Sequence, residues 1–504
     1  MRRRLPKPHT ATTSSASVPP STLAFREHDH RRPLYNKLVG ALVIDEAWSA
    51  YQQLLNDHPT HARQAIPQKY LHGFAASLVS RAKWMPAQKT RTQTTFLRLL
   101  SVLNTIYYTG GQVRLWEWNA LMECAGRGWR RTRMDDFNAS MGIFQDMLAN
   151  RAPGSSLSDD GSQLLHDASK VASQPVSPDV VTYTTLLAIA GRTLNQQILQ
   201  EAETLLVSSG LAPSHITHLA YIRYHARKGK LAGVRSTLAV MKANGIALGM
   251  EGINACVWAY GRNGRLDISA LIYRILRHRV PQAHEAEEEE EDVTPEEAAL
   301  ELEKLEGIVI PPGLKPDAIT YYTLVQAYAY RGHFHPCLAV FTDMIASPHI
   351  LTGSLADVDA PTDGPTIPDP VLPVYRALFL GFARHAMSPR HAHLANVVVV
   401  SRGADRPPAA WTLAQLAELF ATFVGLPGGA RPNARTVYWL LVAFAVTSGY
   451  DRAVLRDVWA RLAARYGEHW DGRVRAFRDK VFADEFDAAF FEDVRTSRDR
   501  RWDS

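Results

Sequence analysis

The 504-residue chain carries 56 Lys and Arg against 50 Asp and Glu, a formal net charge of +6, and its hydrophobic content of 46% is ample for a buried core. Its mean hydropathy of −0.17, with no apolar run near the roughly 20 residues of a spanning helix, argues against a membrane protein. The three cysteines, Cys124, Cys256 and Cys337, lie far apart, which argues against a disulfide scaffold and a cysteine-based zinc site.

The charge is unevenly distributed along the chain. Seven of the eight residues from Glu285 to Asp292 are acidic, so the rest of the sequence is more basic than the total suggests. A basic surface suits a polyanionic partner, although many proteins that bind no nucleic acid share a pI near 9.1. We expect the acidic block to be a solvated, disordered loop.

The N-terminal segment differs in composition from the rest of the chain. Five Lys and Arg residues precede the first acid, Glu27, and Ser and Thr are frequent. An Arg-rich, Ser-rich, acid-poor start is typical of a mitochondrial presequence. We expect residues 1–33 to be disordered and to act as a transit peptide, with an untargeted disordered tail as the alternative. Residues 34–114 are expected to be helical and could contain degenerate repeats.

A fixed period organises the middle of the chain. Gly210 and Gly245 are 35 residues apart, as are Gly229 and Gly264. Each such segment holds two apolar stretches at helical spacing, separated by a glycine-containing turn. This period is typical of stacked helix pairs, because one pair alone cannot bury its apolar face. The sequence therefore predicts an all-α solenoid.

The residues of the repeating unit also carry a family resemblance. Segment 179–187 reads Asp-Val-Val-Thr-Tyr-Thr-Thr-Leu-Leu, segment 315–324 reads Lys-Pro-Asp-Ala-Ile-Thr-Tyr-Tyr-Thr-Leu, and segment 241–246 reads Met-Lys-Ala-Asn-Gly-Ile. These segments resemble the opening and the close of pentatricopeptide repeats, and the chain resembles the divergent mitochondrial members of that family. The resemblance implies a right-handed α-solenoid of helix-turn-helix repeats of about 35 residues, with Gly ending one helix and Asp or Ser capping the next.

This register predicts a repeat array over residues 115–470. The repeats open near Leu115, Val180, His215, Met250, Ala318, Leu372 and Ala434. Insertions are expected near 151–174, 280–313, 347–370 and 388–410, the second of which should contain a short helix over 296–305. Residues 471–504 are expected to form a capping helix and a tail, because phenylalanines recur there at helical spacing.

The resemblance also implies where RNA bases would be contacted. In this family the base-selective side chains are the fifth residue of the first helix and the last residue of the repeat. Carried over to this chain, the base-selective residues are Asn119 with Asp179, Thr184 with Ser214, Asn254 with Asp317, Tyr322 with Asp369, Arg376 with Asn433, and Tyr438. The second residue of each unit would sandwich the bases; Trp116, Val181, Ile216 and Ile319 fit that role, whereas Glu251 and Arg435 depart from it.

The chemistry of these side chains supports part of the set. Asn offers a donor and an acceptor to a base edge and Asp can orient it, and the resemblance assigns uridine-like readout to the Asn/Asp pairs. Leu219 with Gly249 cannot read an edge, whereas Tyr and Arg side chains could stack on any base. A Pro-Asp step also starts helices in unrelated proteins, so Asp179 and Asp317 could serve only as caps.

Signatures of catalysis are missing from the sequence. A zinc deaminase would need a Cys-x-x-Cys motif, which the chain lacks, and it has no glycine-rich phosphate loop of the P-loop kind. About 35 residues follow the last repeat, too few for a metal-dependent RNA-cleaving domain. We therefore expect a non-enzymatic protein with no cofactor and no metal.

Two functions from different classes remain open, with a ribonuclease completed by a partner chain as a third hypothesis. The first is a single-stranded RNA-binding protein of the mitochondrial matrix that acts by occlusion on transcript stability, processing or translation. It would have no membrane span, act as a monomer, and could contact the mitochondrial ribosome or RNA-processing proteins. The alternative is a helical-repeat protein–protein scaffold, associated with the ribosome or with assembly, because only two clean Asn/Asp pairs are present.

Overall fold

The computed structural model describes residues 21–41, 43–56, 66–84, 89–128, 131–157, 175–280, 294–347, 371–386, 410–426, 430–470 and 472–483. Within these ranges the regular structure consists of twenty α-helices and one 3-10 helix, Ser155–Leu157, with no strand. The chain divides into two compact units, Met1–Cys124 with Gly142–Val176 and Ala125–Met141 with Ser177–Ser504. The first predicted repeat, which opens at Leu115, is therefore divided between the units.

The first unit is built from consecutive helices. They are α1 (Ser21–Gly40), α2 (Ile44–Asn56), α3 (Gln68–Trp84), α4 (Lys89–Tyr108) and α5 (Leu115–Ala125), with α6 (Met134–Leu148) divided between the two units. Helix α1 packs on α2 and α3, and α3 packs on α4. The buried ring of Tyr51 lies against Phe74, and its hydroxyl lies 2.7 Å from Thr105 Oγ1, which joins α2 to α4.

The start of α1 corrects the expectation that residues 1–33 are disordered. The backbone is helical from Ser21 onward and passes through Pro33. Tyr35 and Leu38 are buried, and the Arg31 guanidinium donates a hydrogen bond to the Leu54 carbonyl at 3.2 Å. The end of α1 belongs to the folded unit because it supplies apolar surface to that core. Residues 1–20 lie outside the described ranges, and the transit peptide stays a prediction.

The second unit is a series of helix pairs. Its helices are α7 (Val180–Thr193), α8 (Gln196–Ser208), α9 (His215–Arg227), α10 (Leu231–Ala243), α11 (Met250–Arg262), α12 (Leu266–Arg277), α13 (Pro295–Glu306), α14 (Ala318–Arg331), α15 (Phe334–Ala346), α16 (Val371–His385), α17 (Leu413–Val424), α18 (Ala434–Thr447), α19 (Arg452–Tyr466) and α20 (Arg473–Phe482). The first helices of the pairs, α7, α9, α11, α14, α16 and α18, each contact the next, and each packs on the second helix of its own pair. This contact pattern is that of a helical-repeat solenoid, so the predicted fold class is confirmed.

The helix starts follow the predicted register. Helices begin at six of the seven predicted openings, and α16 begins at Val371, one residue before the expected Leu372. One residue is within the ordinary spread of helix boundaries. Burial supports the predicted register for α16, because Val374 and Tyr375 are buried just as Thr320 and Tyr321 are at the third and fourth positions of α14.

One apolar core links the repeats from α9 onward. The buried cluster runs from Leu219 in α9 to Val481 in α20. At its end, Val474, Phe477 and Val481 of α20 are buried, and α20 packs on α18 and α19. Helix α20 therefore covers the apolar surface that the last pair would otherwise expose, as expected for a capping helix. The phenylalanines beyond position 483 lie outside the described residues.

The second insertion contributes a helix to the fold. Helix α13 packs on α12, and the buried carboxylate of Glu306 accepts hydrogen bonds from the Tyr260 hydroxyl at 2.7 Å and from Arg265 at 3.2 Å. Burial and the adjacent Glu306 carboxylate raise the pKa of Tyr260. Lys242 pairs with Glu303 at 2.8 Å on the exposed side. The insertion helix is therefore anchored to its repeat, while the acidic block 285–292 lies outside the described residues.

Glycines end the helices at recurrent positions. Gly229 and Gly264 have φ of +70° and +86° at the turn inside a repeat, and Gly210 and Gly245 have φ of +69° and +66° at the end of one. A side chain in this left-handed region clashes with its own backbone, which is why the 35-residue period is carried by glycine. At the corresponding turn after α7, Leu194 adopts φ +59° despite its side chain.

We predict that Gly229→Ala lowers the stability of the second unit by about 1–2 kcal/mol, because its φ of +70° disfavours any side chain. Gly249→Ser is the matched control. Gly249 has φ −76° and no atom within 4 Å of an added Cβ, and serine is a favourable N-cap. Differential scanning calorimetry should show a lower Tm for Gly229→Ala and an unchanged or higher Tm for Gly249→Ser. Equal melting of the two variants would contradict the prediction.

Candidate nucleic-acid interface

The first turns of the first helices share one pattern of exposure. The second-position side chains Val181, Ile216 and Ile319 are between 41% and 60% exposed, and Trp116, second in α5 of the other unit, is exposed as well. The third-position threonine is buried in each of α7, α9 and α14. The exposed apolar side chains at this position of α7, α9 and α14 offer surface that a ligand could cover. Glu251 and Arg435 are the exposed exceptions at this position.

Thr184 and Ser214 are joined through a third residue. Thr184 Oγ1 lies 2.7 Å from Thr217 Oγ1, and both threonines are buried. Thr217 Oγ1 accepts a hydrogen bond from the Ser214 amide at 3.1 Å, while Ser214 Oγ accepts one from the Thr217 amide at 3.4 Å. Ser214 is thus the N-cap of α9, and Thr217 links it to the fifth residue of α7. We call such a three-residue hydrogen-bonded set a relay.

Asn254 and Asp317 form a second relay. Asn254 Nδ2 donates to the two carboxylate oxygens of Asp317 at 3.0 and 3.2 Å, and Thr320 Oγ1 donates to Asn254 Oδ1 at 2.7 Å. Asp317 also accepts from the Thr320 amide at 2.8 Å, so it caps α14. The Asn254 side chain is buried and its orientation is fixed by the two partners. The structure therefore brings this predicted pair together, although 63 residues separate its members.

Position five of α9 breaks the pattern. Leu219 is only 2% exposed, and its predicted closing partner Gly249 is an N-cap without a side-chain hydrogen bond. The third residue of α11 is Gly252, so the threonine that completes the other two relays is absent here. No polar group at these three positions can address a base edge.

Charged and aromatic groups replace the relay at the later repeats. The Arg376 guanidinium donates to the Tyr322 hydroxyl at 3.2 Å, so the two fifth-position side chains contact each other. Although the Arg435 side chain is exposed over much of its length, partial burial, followed by the charge of nearby Arg376, lowers its pKa, and Arg473 acts in the same direction. Arg376 and Arg435 therefore lie near Tyr322, and Arg473 lies near Arg435, an arrangement that favours a bound anion.

The remaining predicted residues occupy different settings. Asn433 caps α18 by accepting from the Thr436 amide at 2.9 Å. Tyr438 packs edge-on against Trp439 and Phe477, with centroids 5.4 and 6.3 Å away, which restrains its ring.

The pairing of Asn119 with Asp179 stays a prediction. Asp179 caps α7 by accepting from the Thr182 amide at 2.9 Å. Asn119 is partly buried in α5, which belongs to the other compact unit. Asp369, the predicted partner of Tyr322, lies outside the described residues.

A row of arginines was not predicted from the individual residues. Arginines end the first helices at Arg192, Arg227, Arg262, Arg331 and Arg384. The Arg331 guanidinium donates to the Arg262 carbonyl at 3.1 Å, so a cation meets the negative end of the preceding helix. Burial, then the charges of Arg192 and Arg262, lower the pKa of Arg227. The 35-residue spacing of Arg192, Arg227 and Arg262 is the signal that could have revealed this row.

Neither a metal-binding cluster nor a membrane-spanning helix occurs among the described residues. No cluster of three or more His, Cys, Asp or Glu side chains suited to a metal ion occurs among them. In the same ranges, every helix is too short or too polar to cross a bilayer.

Comparison with known proteins gives structural similarity only. No protein-family model matches the chain, and no curated protein matches it. Among solved structures it is similar to the pentatricopeptide repeat protein PPR10 in complex with an 18-nucleotide psaJ RNA element, and to a triple cysteine-to-serine variant of that complex. Both show 17% identity, a TM-score of 0.27, and coverage of 94% of this chain and 72% of the other. PPR10 from maize matches at 14% identity and a TM-score of 0.24, over 95% and 72% of the two chains.

We predict that the melting temperature falls as the pH drops below about 6.5, and that His218→Leu weakens this dependence. Burial lowers the pKa of His218, and its Nε2 has no hydrogen-bond partner among the described residues. The unfolded chain therefore binds this proton more readily, so this stability is fully present above the unfolded pKa of 6.5 and is lost as the pH falls from there through the lower pKa of the folded state. His225, with a pKa lowered by burial and Lys230, acts in the same direction.

The measurement is a series of thermal melts between about pH 7.5 and pH 5. The control is His215→Gln, since His215 lies on the same helix and is exposed. An identical pH dependence in His218→Leu and the unchanged protein would show that His218 does not couple folding to protonation.

Proposed function

We propose that the chain binds single-stranded RNA along the N-terminal turns of its first helices. The observation that carries this proposal is the relay, which twice joins the fifth residue of one first helix to the closing residue of its repeat. Repeat proteins that read RNA one base per repeat use two or three side chains from each unit for that purpose. The two relays supply such sets in two repeats of one stack, with one repeat between them.

The surroundings of the relays suit a nucleotide chain. Exposed Val181, Ile216 and Ile319 offer apolar surface against which base faces can pack. The Asp317 carboxylate holds the Asn254 amide in one orientation, which limits the reorganisation needed to address a base edge. The Asn254/Asp317 relay would favour uridine, as the resemblance implies, and the hydroxyls of the Thr184/Ser214 relay would favour purines.

Arginines would supply the sequence-independent part of the affinity. Partial burial lowers the pKa of Arg435, and the like charges of Arg376 and Arg473 lower it further. Placing a phosphate there relieves this repulsion, and Lys or Arg contacts to phosphates generate most non-specific affinity.

We infer that the protein acts without catalysis, by covering several nucleotides of a mitochondrial transcript. Covering an RNA end would protect it from degradation, and covering a start region would keep it unpaired for translation. The Arg-rich, acid-poor N-terminal sequence supports import into the mitochondrial matrix. The same surface could act beside the mitochondrial ribosome or RNA-processing proteins, with the protein itself a monomer.

Exchanging the two relays tests base reading. We predict that selection from a random RNA pool yields a motif with uridine at the Asn254 position. Asn254→Thr with Asp317→Ser should lose it, and Thr184→Asn with Ser214→Asp should gain uridine at the Thr184 position. Each exchange keeps a hydrogen-bonding cap, so folding should persist. Leu300→Ala, an exposed residue of α13, is the control.

The outcomes separate the alternatives. Motifs unchanged by the exchanges would leave RNA binding in place and refute base reading by the relays. No enriched RNA, together with a stable protein partner recovered from mitochondrial extract, would favour the protein–protein scaffold.

We predict that Arg435→Gln with Arg473→Gln weakens RNA binding and flattens its salt dependence. The slope of log affinity against log salt should fall by roughly 0.7 for each phosphate of a single strand that the variant no longer neutralises. Arg475→Gln is the matched control, because Arg475 is an exposed residue of the same helix. Fluorescence anisotropy at several salt concentrations measures the slope. An unchanged slope would remove these arginines from the interface.

A further inference from the structure

The missing relay leaves a cavity between α9 and α11. It has a volume of about 250 Å³, and its wall includes Leu219, Met241, Leu248, Gly249 and Gly252. The three apolar side chains are themselves buried, so the wall is part of the packed structure and does not depend on loose surface groups.

The cavity results from which residues stand at the relay positions. Thr217 and Thr320 place hydroxyl groups between neighbouring repeats, whereas the equivalent residue of α11 is Gly252. A Cβ at Gly252 would approach Leu248 Cδ2 to 2.6 Å, so a side chain there would displace Leu248 from its present place. The closing residue Gly249 also adds no side chain, and the space that a relay fills elsewhere stays open.

Backbone geometry does not require glycine at position 249. Its φ of −76° and ψ of 179° match the extended caps at Ser214 and Asp317, and an added Cβ would have no atom within 4 Å. Any L residue could adopt this conformation. The glycine at this position therefore keeps the cavity open without serving the local fold.

Size and chemistry indicate the class of occupant. An apolar cavity of about 150 Å³ can hold one benzene ring, and pockets for drug-sized ligands usually exceed about 300 Å³. The observed volume falls between these values and suits one planar ring system. His215 and Glu251 are the polar side chains of the wall, and both are exposed. Glu251 disfavours a phosphate, and the apolar residues offer few hydrogen bonds to polar groups.

The position of the cavity in the series of repeats indicates the source of the planar ring that would occupy it. The cavity occupies the fifth-residue and closing-residue positions of the repeat that lies between the two relays. Exposed Ile216, at the second position of α9, directly follows the wall residue His215 in sequence. An RNA strand that crosses both relays at one base per repeat must place one base at this cavity.

We propose that this cavity seats one nucleobase of the bound RNA by apolar contact, requiring a base but not reading its identity. The proposal rests on the RNA-binding function proposed above. It assigns an unselective position to the nucleotide between those held by the Thr184/Ser214 and Asn254/Asp317 relays. Loss of the base, unlike exchange of the base, leaves the cavity exposed to water and removes the favourable apolar contact.

The test uses the selected RNA with each of the four bases, or an abasic sugar, at the intermediate position. With the unchanged protein, the four bases should bind within about twofold of one another, and the abasic RNA roughly fivefold or more weakly, as for removal of one stacked base. Gly249→Leu and, separately, Ala247→Leu add bulk to the cavity wall. Both should shrink the difference between base-containing and abasic RNA.

Gly249→Ala is the control, because one methyl group should leave that difference in place. A further variant, Leu219→Asn with Gly249→Asp, installs the pair found in the Asn254/Asp317 relay and should introduce a preference for uridine at this position. Thermal melts of every variant report whether the fold is retained.

Strong discrimination among the four bases, or equal binding of abasic RNA, by the unchanged protein would overturn the cavity proposal while leaving RNA binding intact. If the unchanged protein binds no RNA, both proposals fail. If abasic RNA binds equally but Gly249→Leu abolishes capture of a protein partner, the cavity accepts an apolar side chain and the assignment to a base is wrong.

Discussion

One hydrogen-bonded junction recurs at the starts of three first helices, α7, α9 and α14. The third-residue threonine is buried, its hydroxyl accepts from the N-cap amide, and the N-cap side chain accepts from the threonine amide. Four amides at a helix start lack partners inside the helix, and here the start is packed between repeats with limited access to water. In α9 and α14 the same threonine also contacts the preceding repeat. Capping and stacking are therefore joined in one set of atoms.

Because the same side chains cap a helix and orient a candidate base contact, the stability of the helix start and that contact depend on the same residues. Asp317 caps α14 and at the same time orients Asn254, so any change at Asp317 alters both the helix start and the candidate base contact. An N-cap contributes about 0.5–2 kcal/mol, a sizeable share of the stability of a single helix pair. At α11 the cap side chain is absent: the helix begins at Gly249 without a side-chain hydrogen bond, and Gly249 lines a cavity.

The insertions leave the stacking of the repeats intact, because the first helices of neighbouring repeats contact each other directly. Helices α11 and α14 remain neighbours although more than fifty residues separate the end of one from the start of the other. Closing a long loop costs only about 0.6 kcal/mol more for each doubling of its length, so the repeat interface outweighs the insertion. Helix α13 adds its own anchor through Glu306, which meets Tyr260, Arg235 and Arg265.

The sequence by itself determined the local features: the 35-residue period, the left-handed glycines such as Gly229, the capping residues such as Asp317, and the helix starts. These depend on residues a few positions apart, and the steric and capping rules that govern them are local. Only the tertiary structure decided that Asn254 meets Thr320, that Arg435 lies near Arg376, and that Arg31 of α1 reaches the Leu54 carbonyl. Those outcomes depend on how neighbouring helices stack, and no local pattern encodes the distance between side chains on different helices.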